Sequence, residues 1–346
     1  MASVNMKGRS LLAVEGLSES EINYLLDLAS KLKQRKKAGA SGELLQHKNI
    51  GLIFEKPSTR TRCAAVVAGA DEGANVEYMD VCDMHLGKKE SVEDTARVLG
   101  RMLDGILFRG YKQETVEILA KYSGIPVWNG LTDECHPTQI LADLMTVKEN
   151  FGNKSPLKLV YVGDGRNNVV NSLMIGCAKV GINFVNCTPP DLAPDRALVK
   201  QSSEVAAVKR STIEVVHSPA AAVKGANVVY TDVWVSMGEE ASFDERVKLL
   251  RPYQVNMALM RKTGNLESGK VIFLHCLPAL HDSETVVTKD CGALEVSDDV
   301  FRAPFSKVFD QAENKVHTIK ALMVATLGAT SANLLKKRGG LARHAK

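Results

Sequence analysis

Six polar clusters in this sequence each follow a short apolar run, at the point where that run ends. They supply hydroxyl, guanidinium, imidazole, amide, carboxyl and thiol groups, which can hold anions, move protons and stabilise developing charge. Binding sites of open α/β sheets lie at the carboxyl ends of the strands. The repetition therefore predicts a functional site, and its candidate members are Ser58-Thr59-Arg60-Thr61, Arg109, His136, Asn167-Asn168, Asp232 to Gly238, and Cys276.

The segment 58–61 has the composition of a phosphate site. Ser58 can cap a helix whose first turn offers unpaired backbone N–H groups and a partial positive charge. Thr59, Thr61 and Arg60 add donors in the same turn, and a guanidinium can hold two phosphate oxygens at once. A capped surface helix with an exposed basic turn fits the same residues. The segment alone leaves both interpretations open.

A glycine-rich turn, GDGRNN, suggests a competing hypothesis of dinucleotide binding. The pattern is Gly163-x-Gly165-x-x-Asn168, with asparagine where the dinucleotide fingerprint requires glycine or alanine. The next strand ends in Asn-Cys-Thr (186–188), which offers no acid for a ribose hydroxyl. The chain also lacks the G-x-x-x-x-G-K-[ST] pattern of a P-loop. These departures argue against a nicotinamide dehydrogenase and against a P-loop enzyme.

Plain structural roles are open for the other polar residues. His275 and Cys276 look like a metal or nucleophile pair, but neighbours on a strand point to opposite faces, so at most one should reach the site. His136 precedes a proline and fits a simple turn residue. Asp232, close to Trp234, fits an ordinary loop acid.

The elements that must position these residues alternate along the chain. Strand-like runs KNIGLIFE, NVEYMD, GILFR and IPVWNG are separated by helical patterns and followed by the helical stretch TQILADLMTVKENF and a linker candidate, GNKSP. A second series follows with LKLVYVGD, INFVNCT, TIEVVH, NVVYTDVW and VIFLHCLP. Alternation of strands and helices is typical of parallel α/β sheets. We therefore predict two α/β domains of similar size that join near residue 150.

Composition excludes several classes of protein. The 346 residues are 45% hydrophobic and 24% charged, which are ordinary globular proportions. No apolar run is long enough for a membrane span, and no signal peptide is evident, so we expect a cytoplasmic protein without a membrane partner. The net charge of +4 comes from the last eleven residues, which hold five Lys or Arg and no acid, so we expect no nucleic-acid partner. Seven scattered cysteines without a C-x-x-C pair predict reduced thiols and no zinc site.

Five motifs give the chain a resemblance to the ornithine carbamoyltransferase family, from about residue 10 to residue 335. They are FEKPSTRTR (54–62), HPTQ (136–139), GDGRNN (163–168), DVWVSMG (232–238) and HCLP (275–278), in the family's order. STRTR (58–62) and HPTQ resemble segments shared broadly by carbamoyltransferases. DVWVSMG is more selective, because its Ser-Met-Gly loop resembles the ornithine-reading element of the ornithine members.

The resemblance implies reversible transfer of a carbamoyl group from carbamoyl phosphate to the δ-amine of L-ornithine, in arginine biosynthesis or in the arginine deiminase pathway. It implies neither a metal nor another cofactor. In this interpretation residues 1–149 bind carbamoyl phosphate, 150–314 bind ornithine, and 315–346 form a C-terminal helix returning to the first domain plus a basic tail. The active-site cleft would lie between the two domains, each a parallel sheet flanked by helices.

Site residues are implied on the matching motifs. Arg109, His136 and Cys276 would be catalytic. The implied ligands of carbamoyl phosphate are Ser58, Thr59, Arg60, Thr61, His85, Arg109, His136, Gln139, Cys276, Leu277 and Lys315. Those of ornithine are Asn168, Asp232, Ser236 and Met237. His85 would reach into a neighbouring subunit's site, so the resemblance implies a homo-oligomer, either a trimer or a multiple of trimers.

One position departs from the family's pattern. Lys315 stands in the segment AENK, where the family usually carries arginine against carbamoyl phosphate. Lysine keeps the charge but loses the planar fork. Two other functions stay open, a carbamoyltransferase for another amine such as putrescine or a modified ornithine, and a catalytically silent binding protein on the same scaffold.

Overall fold

Strands and helices alternate along the residues that the computed structural model describes, namely 4–40, 42–152, 156–235 and 242–328. The strands are β1 (Asn49–Phe54), β2 (Asn75–Asp80), β3 (Gly105–Arg109), β4 (Val127–Leu131), β5 (Lys158–Val162), β6 (Asn183–Cys187), β7 (Ile213–Val216), β8 (Val228–Thr231) and β9 (Ile272–His275). The helices are α1 (Glu19–Lys37), α2 (Thr59–Ala70), α3 (Val92–Leu99), α4 (Gln113–Ser123), α5 (Pro137–Phe151), α6 (Asn168–Val180), α7 (Arg196–Val208), α8 (Pro219–Ala222), α9 (Phe243–Leu250), α10 (Met257–Arg261), α11 (Asp298–Phe301) and α12 (Val308–Leu327). Within these ranges, no helix combines the length and the apolar character that a membrane span requires.

The described residues form two compact units. The first lies within residues 1–12, 16–132 and 315–346, and the second within 13–15 and 133–314. Each unit contains one parallel sheet flanked by helices. The predicted two-domain α/β fold is therefore confirmed. The domain boundaries inferred from the sequence remain a prediction, and most of the linker candidate GNKSP lies outside the described residues.

The first unit is built on a four-stranded sheet with the order β2-β1-β3-β4, in which every pair is parallel. Strands β3 and β4 are buried along their whole length. Continuous apolar runs suit such strands, because helices cover both faces of a parallel sheet. In the β1–β3 pair Phe54 lies opposite Arg109, so the chain leaves both strands at the same edge. Two segments with candidate site residues therefore start side by side.

Side-chain caps fix two helix starts in the first unit, and the one at Ser58 confirms the prediction from the sequence. At α1, Ser18 Oγ accepts a hydrogen bond from the Glu21 N–H, and the Glu21 carboxylate accepts one from the Ser18 N–H. This reciprocal capping box pairs two donors that would otherwise lack partners. At α2, Ser58 has extended backbone and its Oγ lies 3.1 Å from the Thr61 nitrogen. The cap fixes the direction of the first turn of α2.

The second unit is built on a five-stranded parallel sheet with the order β7-β6-β5-β8-β9. Strands β8 and β9 are fully buried, and its hydrophobic core includes Val160, Phe273 and Trp234. The three neighbouring strands β5, β8 and β9 precede Asn168, Asp232 and Cys276, respectively. Because the strands are parallel, these three residues follow the same edge of the sheet.

Helix α5 is buried over residues 137–147, and so it has no solvent-facing side along its first three turns. A proline at its first position suits a helix start, since its missing N–H has no helical partner there and its φ is already helical. Gly176 of α6 allows α5 to pack closely, because a Cβ at that glycine would lie 2.7 Å from Ile140 Cγ2. The start of α5, which carries the HPTQ motif, is thus held on a rigid element.

A buried cation joins the C-terminal part of α12 to the end of α2 within the first unit. Lys320 Nζ lies 2.6 Å from Asp71 Oδ2 and its side chain is 1% exposed, while the exposed Lys36 Nζ lies 2.7 Å from the same oxygen. Burial alone would raise the pKa of Asp71, but the hydrogen bonds and charges of the two lysines outweigh it and hold that pKa below its ordinary value. The carboxylate is therefore the form that folding favours.

Replacing this carboxylate should destabilise the first unit in a pH-dependent way. Asp71→Asn should lower the free energy of unfolding at pH 7 by about 1–3 kcal/mol, because Lys320 loses its charged partner. The contribution of an acid whose pKa is lowered on folding is complete above its unfolded pKa of about 4 and is lost as pH falls through the folded pKa. The free energies of unfolding of Asp71→Asn and of the unmodified protein should therefore differ less at pH 3 than at pH 7. Urea unfolding at both pH values measures this difference.

The control for this prediction is Lys36→Gln, which removes the exposed partner of the same carboxylate. It should cost less than about 1 kcal/mol, since solvent screens an exposed ion pair. Equal losses for Lys36→Gln and Asp71→Asn would show that burial of Lys320 is not the source of the effect.

Candidate active site

The capped start of α2, at the end of β1, has the features of an anion site. The first N–H groups of a helix have no partner within the helix, and the helix dipole makes this end partially positive. Thr61 is buried, and its Oγ1 has no hydrogen-bond partner among the described residues. Thr59 is exposed, and Ser58 and Arg60 are half-buried. A buried hydroxyl beside a positive helix start suits a phosphate oxygen, as the sequence predicts.

Arg109 is held beside this helix start by the backbone that follows β1. The Glu55 N–H donates a hydrogen bond of 2.8 Å to the Arg109 carbonyl, and Glu55 Oε2 accepts one of 2.9 Å from the Tyr111 N–H. Glycine suits the position between Arg109 and Tyr111, because a Cβ at Gly110 would lie 2.2 Å from Glu55 Oε2. Arg109 itself is buried, with 7% of its surface exposed. Sequence motifs do not predict these hydrogen bonds of Glu55, which fix the turn that carries Arg109.

Two other predicted residues of the first unit lie on different elements. His85 follows β2 and is exposed, and its carbonyl accepts hydrogen bonds from the N–H groups of Lys88, Lys89 and Glu90. Lys315 is a buried residue of α12, with 4% of its surface exposed. The role predicted for each of them remains a prediction.

In the second unit, Asp232 and Cys276 form an acid–thiol pair. The Cys276 thiol donates a hydrogen bond of 3.0 Å to Asp232 Oδ1, which also accepts one of 2.8 Å from the Val233 N–H. Burial raises the pKa of Asp232 above its ordinary value, and the nearby His275, the thiol and the Val233 N–H act in the opposite direction. This buried oxygen is thus surrounded by donors, and a positively charged group beside it would stabilise its ionised form.

His275 and Glu295 hold the HCLP turn that carries Cys276. His275 Nδ1 accepts a hydrogen bond of 2.9 Å from the Leu277 N–H, so the neutral imidazole carries its proton on Nε2. That nitrogen lies 3.2 Å from Glu295 Oε1, which also accepts a 2.6 Å hydrogen bond from the Leu280 N–H. Both side chains are fully buried. Leu277 has a φ of 60°, a conformation that is rare for residues other than glycine, and these hydrogen bonds hold it.

His275 contacts Leu277 and Glu295 whereas Cys276 contacts Asp232, and the expectation that at most one of the two reaches the site stays a prediction. Strand β9 ends at His275, so side-chain alternation does not continue to Cys276. Donor atoms of Asp232, His275 and Cys276 all lie within 4.8 Å of one another, a set that could hold a soft divalent metal. In the structure the two histidine nitrogens are already engaged by Leu277 and Glu295. These residues therefore work as a hydrogen-bonded group without requiring an ion.

His136 and Asn168 are linked through Ser172 in the second unit. The His136 N–H donates a 2.8 Å hydrogen bond to Ser172 Oγ, and this hydroxyl donates one of 3.0 Å to the Asn168 carbonyl. Three residues further along α5, Gln139 is buried and its Nε2 donates a 2.8 Å hydrogen bond to Asp143 Oδ1. The HPTQ and GDGRNN motifs are thus joined by α5 and α6.

The GDGRNN turn is held by packing and by a buried ion pair. A Cβ at Gly165 would lie 2.6 Å from the Leu192 carbonyl oxygen, so the tight packing of this turn requires glycine there. Asp164 Oδ2 lies 2.6 Å from an Arg246 guanidinium nitrogen, and both side chains are more than 90% buried. Asn167 caps α6 by accepting a hydrogen bond from the Val169 N–H. The glycines therefore have a structural explanation, in agreement with the argument against dinucleotide binding.

Ser236 and Met237, which the sequence predicts as ornithine ligands, lie outside the described residues. Sequence reasoning missed Glu295, Asp143 and Arg246, all buried residues that orient the predicted ones. Asp143 and Glu295 gave only an indirect signal, as charged residues beside apolar neighbours, and Arg246, which has Glu245 and Lys248 close by, gave none. A contact map would have been needed to pair them with the motifs.

These features define a two-domain α/β protein with a capped helix start that suits an anion and an acid–thiol pair after strand ends. Residues 9–149 match the family model described as aspartate/ornithine carbamoyltransferase, carbamoyl-P binding domain. Residues 155–326 match the Asp/Orn binding domain of the same description. The chain belongs to the aspartate/ornithine carbamoyltransferase family, as its motifs indicate.

Relatives cover nearly the whole chain. The catabolic ornithine carbamoyltransferase of Bacillus licheniformis is 58% identical over 332 residues, which cover 94% of this chain and 98% of that relative. The catabolic enzyme of Enterococcus faecalis is 54% identical over 328 residues, covering 93% and 96%, respectively. The solved ornithine carbamoyltransferase of Pyrococcus furiosus superposes with a TM-score of 0.86 at 42% identity, covering 94% of this chain and 99% of that one.

The hydrogen bonds of Glu295 predict a measurable loss when its charge is removed. Glu295→Gln should lower the free energy of unfolding by about 1–2 kcal/mol, because hydrogen bonds to a charged acceptor are stronger than those to a neutral one. Urea unfolding monitored by circular dichroism measures this change. Glu284→Gln, at an exposed position of the same connection, should have no measurable effect. Identical stability of the Glu295→Gln variant and the unmodified protein would contradict a stabilising role for this carboxylate.

Proposed function

We propose that this chain transfers the carbamoyl group of carbamoyl phosphate to the δ-amine of L-ornithine, forming L-citrulline and phosphate. The observation that carries the proposal is the capped start of α2, with its buried Thr61 hydroxyl. A site for a phosphate dianion is the feature that this transfer cannot do without. The near-complete coverage by relatives named ornithine carbamoyltransferase supports the same conclusion.

The first unit supplies the phosphate ligands. The backbone and hydroxyl groups of segment 58–61 donate hydrogen bonds to the phosphate oxygens, and the Arg60 guanidinium adds a two-pronged contact. Lys315 adds positive charge to the same ligand, as a point charge and without the fork of an arginine. This set neutralises the phosphate both in the substrate and as it leaves.

Arg109, His136 and Gln139 hold the carbamoyl end. Attack by the amine on the carbamoyl carbon develops negative charge on the carbonyl oxygen, and Arg109 and His136 stabilise it. Leu277 and Cys276 border the carbamoyl group at the HCLP turn. Burial strengthens these interactions, since little water competes for them.

Asn168, Asp232, Ser236 and Met237 hold the amino-acid portion of ornithine. The carboxylate of Asp232 suits an ammonium group, since a nearby cation stabilises a buried anion. The Cys276 thiol, hydrogen-bonded to Asp232, keeps that carboxylate in one orientation. The δ-amine then meets the carbamoyl carbon as a neutral nucleophile.

The reaction balances without a protein acid that changes its protonation state. A C–N bond forms between the δ-nitrogen and the carbamoyl carbon, and the bond from that carbon to the phosphate oxygen breaks. The leaving phosphate takes up the proton released by the amine. Much of the rate then comes from holding two substrates in the reacting geometry.

A substrate panel tests the proposal. Purified protein with carbamoyl phosphate should form a citrulline-type ureido product with L-ornithine, and much less product with putrescine or N-acetylornithine. Faster reaction with one of those amines would overturn the choice of substrate. No product with any amine would indicate a silent binding protein.

Direction and assembly are further parts of the proposal. The similarity to the catabolic ornithine carbamoyltransferases of Bacillus licheniformis and Enterococcus faecalis favours the catabolic direction, in which citrulline is cleaved by phosphate. A homotrimer or a multiple of trimers, donation of His85 to a neighbouring subunit and a cytoplasmic location remain predictions from the resemblance. The exposure of His85 suits contact with a neighbour.

Arg60→Ala should reduce turnover by more than about a hundredfold with little change in stability, because it removes a phosphate contact but no buried structure. Initial rates of citrulline formation and a thermal melt measure the two effects. The control is Arg196→Ala, which replaces an exposed arginine in the first turn of α7, next to its cap Asp195. This substitution should change neither the rate of citrulline formation nor the thermal stability. A near-normal kcat for Arg60→Ala would remove Arg60 from the site.

The pH dependence of activity follows from the nucleophile. Only the neutral amine attacks, and an amine of this type has a pKa of about 10.4 in water. The value of kcat/KM for ornithine should therefore rise steadily between about pH 6.5 and 8.5. Initial rates at low ornithine and constant ionic strength measure it. A flat profile over this range would contradict attack by the free amine in the rate-determining step.

A further inference from the structure

Asp143 lies at the centre of a fully buried hydrogen-bond network in the second unit. Its Oδ1 accepts hydrogen bonds from Gln139 Nε2 at 2.8 Å and from Gln311 Nε2 at 2.6 Å. Its Oδ2 accepts one from the Tyr230 hydroxyl at 3.2 Å. Asp143 has no exposed surface, and Gln139 and Gln311 have 2% and 1%.

A carboxylate in this position determines how each amide is turned. An ionised carboxylate only accepts hydrogen bonds, whereas a glutamine side chain has a donor end and an acceptor end. The NH₂ end of Gln139 must therefore face Asp143, and its carbonyl Oε1 must point away from it. Gln311 shows the consequence directly, because its Nε2 meets Asp143 while its Oε1 accepts the His275 N–H at 3.0 Å.

We propose that Asp143 is a positioning residue that turns the Gln139 carbonyl oxygen toward the carbamoyl NH₂, and that this orientation selects carbamoyl phosphate over acyl phosphates that lack an N–H donor. The inference rests on the proposed function, in which Gln139 holds the carbamoyl end. Acetyl phosphate has a methyl group in place of the NH₂ and is otherwise similar in shape and charge. A fixed carbonyl oxygen attracts the NH₂ and gains nothing from the methyl group.

The same carboxylate couples this selection to the HCLP turn. Gln311 connects Asp143 to the last N–H of β9, and the next residue is Cys276. Asp143 thus fixes the side-chain amide of Gln139 at the start of α5. Through Gln311 it also fixes the backbone that leads into the HCLP turn. The carbamoyl group is then bordered on two sides by groups that one buried charge orients.

The test compares two ligands that differ in the NH₂ group alone. For each variant, KM for carbamoyl phosphate is measured at saturating ornithine, and Ki for acetyl phosphate is measured as a competitive inhibitor. Asp143→Leu should raise KM for carbamoyl phosphate about tenfold, as expected for loss of one oriented hydrogen bond in a buried site. Ki for acetyl phosphate should stay within about twofold, since that ligand does not use the bond. A general distortion would instead weaken both ligands in parallel.

Two further substitutions at these positions sharpen the comparison. Asp143→Asn should restore most of the selectivity, because its carbonyl oxygen can face both glutamines while its NH₂ faces the Tyr230 oxygen. Tyr230→Phe removes the hydrogen bond to Oδ2 alone and should leave both constants within about twofold of normal. Loss of selectivity in Tyr230→Phe equal to that in Asp143→Leu would overturn the proposal, because the effect would not depend on the amides.

Gln139→Met deletes the amide and keeps the test decisive even if Asp143→Leu does not fold. Gln139→Met should raise KM for carbamoyl phosphate to the same extent as Asp143→Leu does, and it should leave Ki for acetyl phosphate unchanged. The double variant Asp143→Leu/Gln139→Met should be no worse than Gln139→Met alone, since the two residues act as one unit. Parallel weakening of both ligands by Gln139→Met, or additive losses in the double variant, would overturn the inference. Unmodified protein that forms no citrulline would instead contradict the proposed function.

Discussion

Parallel pairing of every strand is the constraint on which the rest of the structure depends. In each sheet it brings all strand ends to one edge and starts each following helix there. Helix starts carry unpaired N–H groups, and strand ends release the chain from the buried sheet. Polar residues at strand ends therefore gather at this edge, while central strands such as β3 and β8 are buried along their length. Ser58 follows β1 in one sheet, and Asp232 follows β8 in the other.

Four buried carboxyl groups hold the segments that this edge carries in the second unit. Asp143 serves the start of α5, Asp164 the glycine-rich turn, Asp232 the thiol, and Glu295 the HCLP turn. Each accepts hydrogen bonds from neighbours that would otherwise be buried without partners. Removing such an acceptor costs more than the hydrogen bond itself contributes, because the remaining donors stay desolvated. These acids are therefore better understood as anchors than as reactive groups.

Local signals in the sequence predicted the parts of the site that local contacts build. The cap at Ser58 and the start of α5 after His136 depend on neighbours within four residues, and both are present. The capping box of Ser18 and Glu21 was predictable for the same reason. The strand order of each sheet was not, since period and composition do not specify which strands pair.

The partners of the buried acids could not be predicted from the sequence, because they are distant along the chain. Asp143 and Gln311 are 168 residues apart in the chain, and Asp164 and Arg246 are 82 apart. No spacing rule connects such pairs, and a lone aspartate in a helix is usually a surface residue. The different surroundings of His275 and Cys276 were not predictable for a related reason, because the end of β9 cannot be located to one residue from its apolar pattern. An error of one residue in the end of a strand changes the face of the sheet on which the next side chain is expected.

The raised pKa of Asp232 bears on how the enzyme distinguishes its amine substrate. A carboxyl group that burial pushes toward its neutral form gains most from a cation placed beside it. That cation can be the ammonium group of an amino acid or of a simple diamine, so Asp232 by itself does not separate ornithine from putrescine. Discrimination must come from a group that recognises the α-carboxylate, which the diamine lacks. A carboxylate requires N–H or O–H donors, and Asn168, proposed above as an ornithine ligand, has an amide side chain at the positive start of α6 that suits this contact.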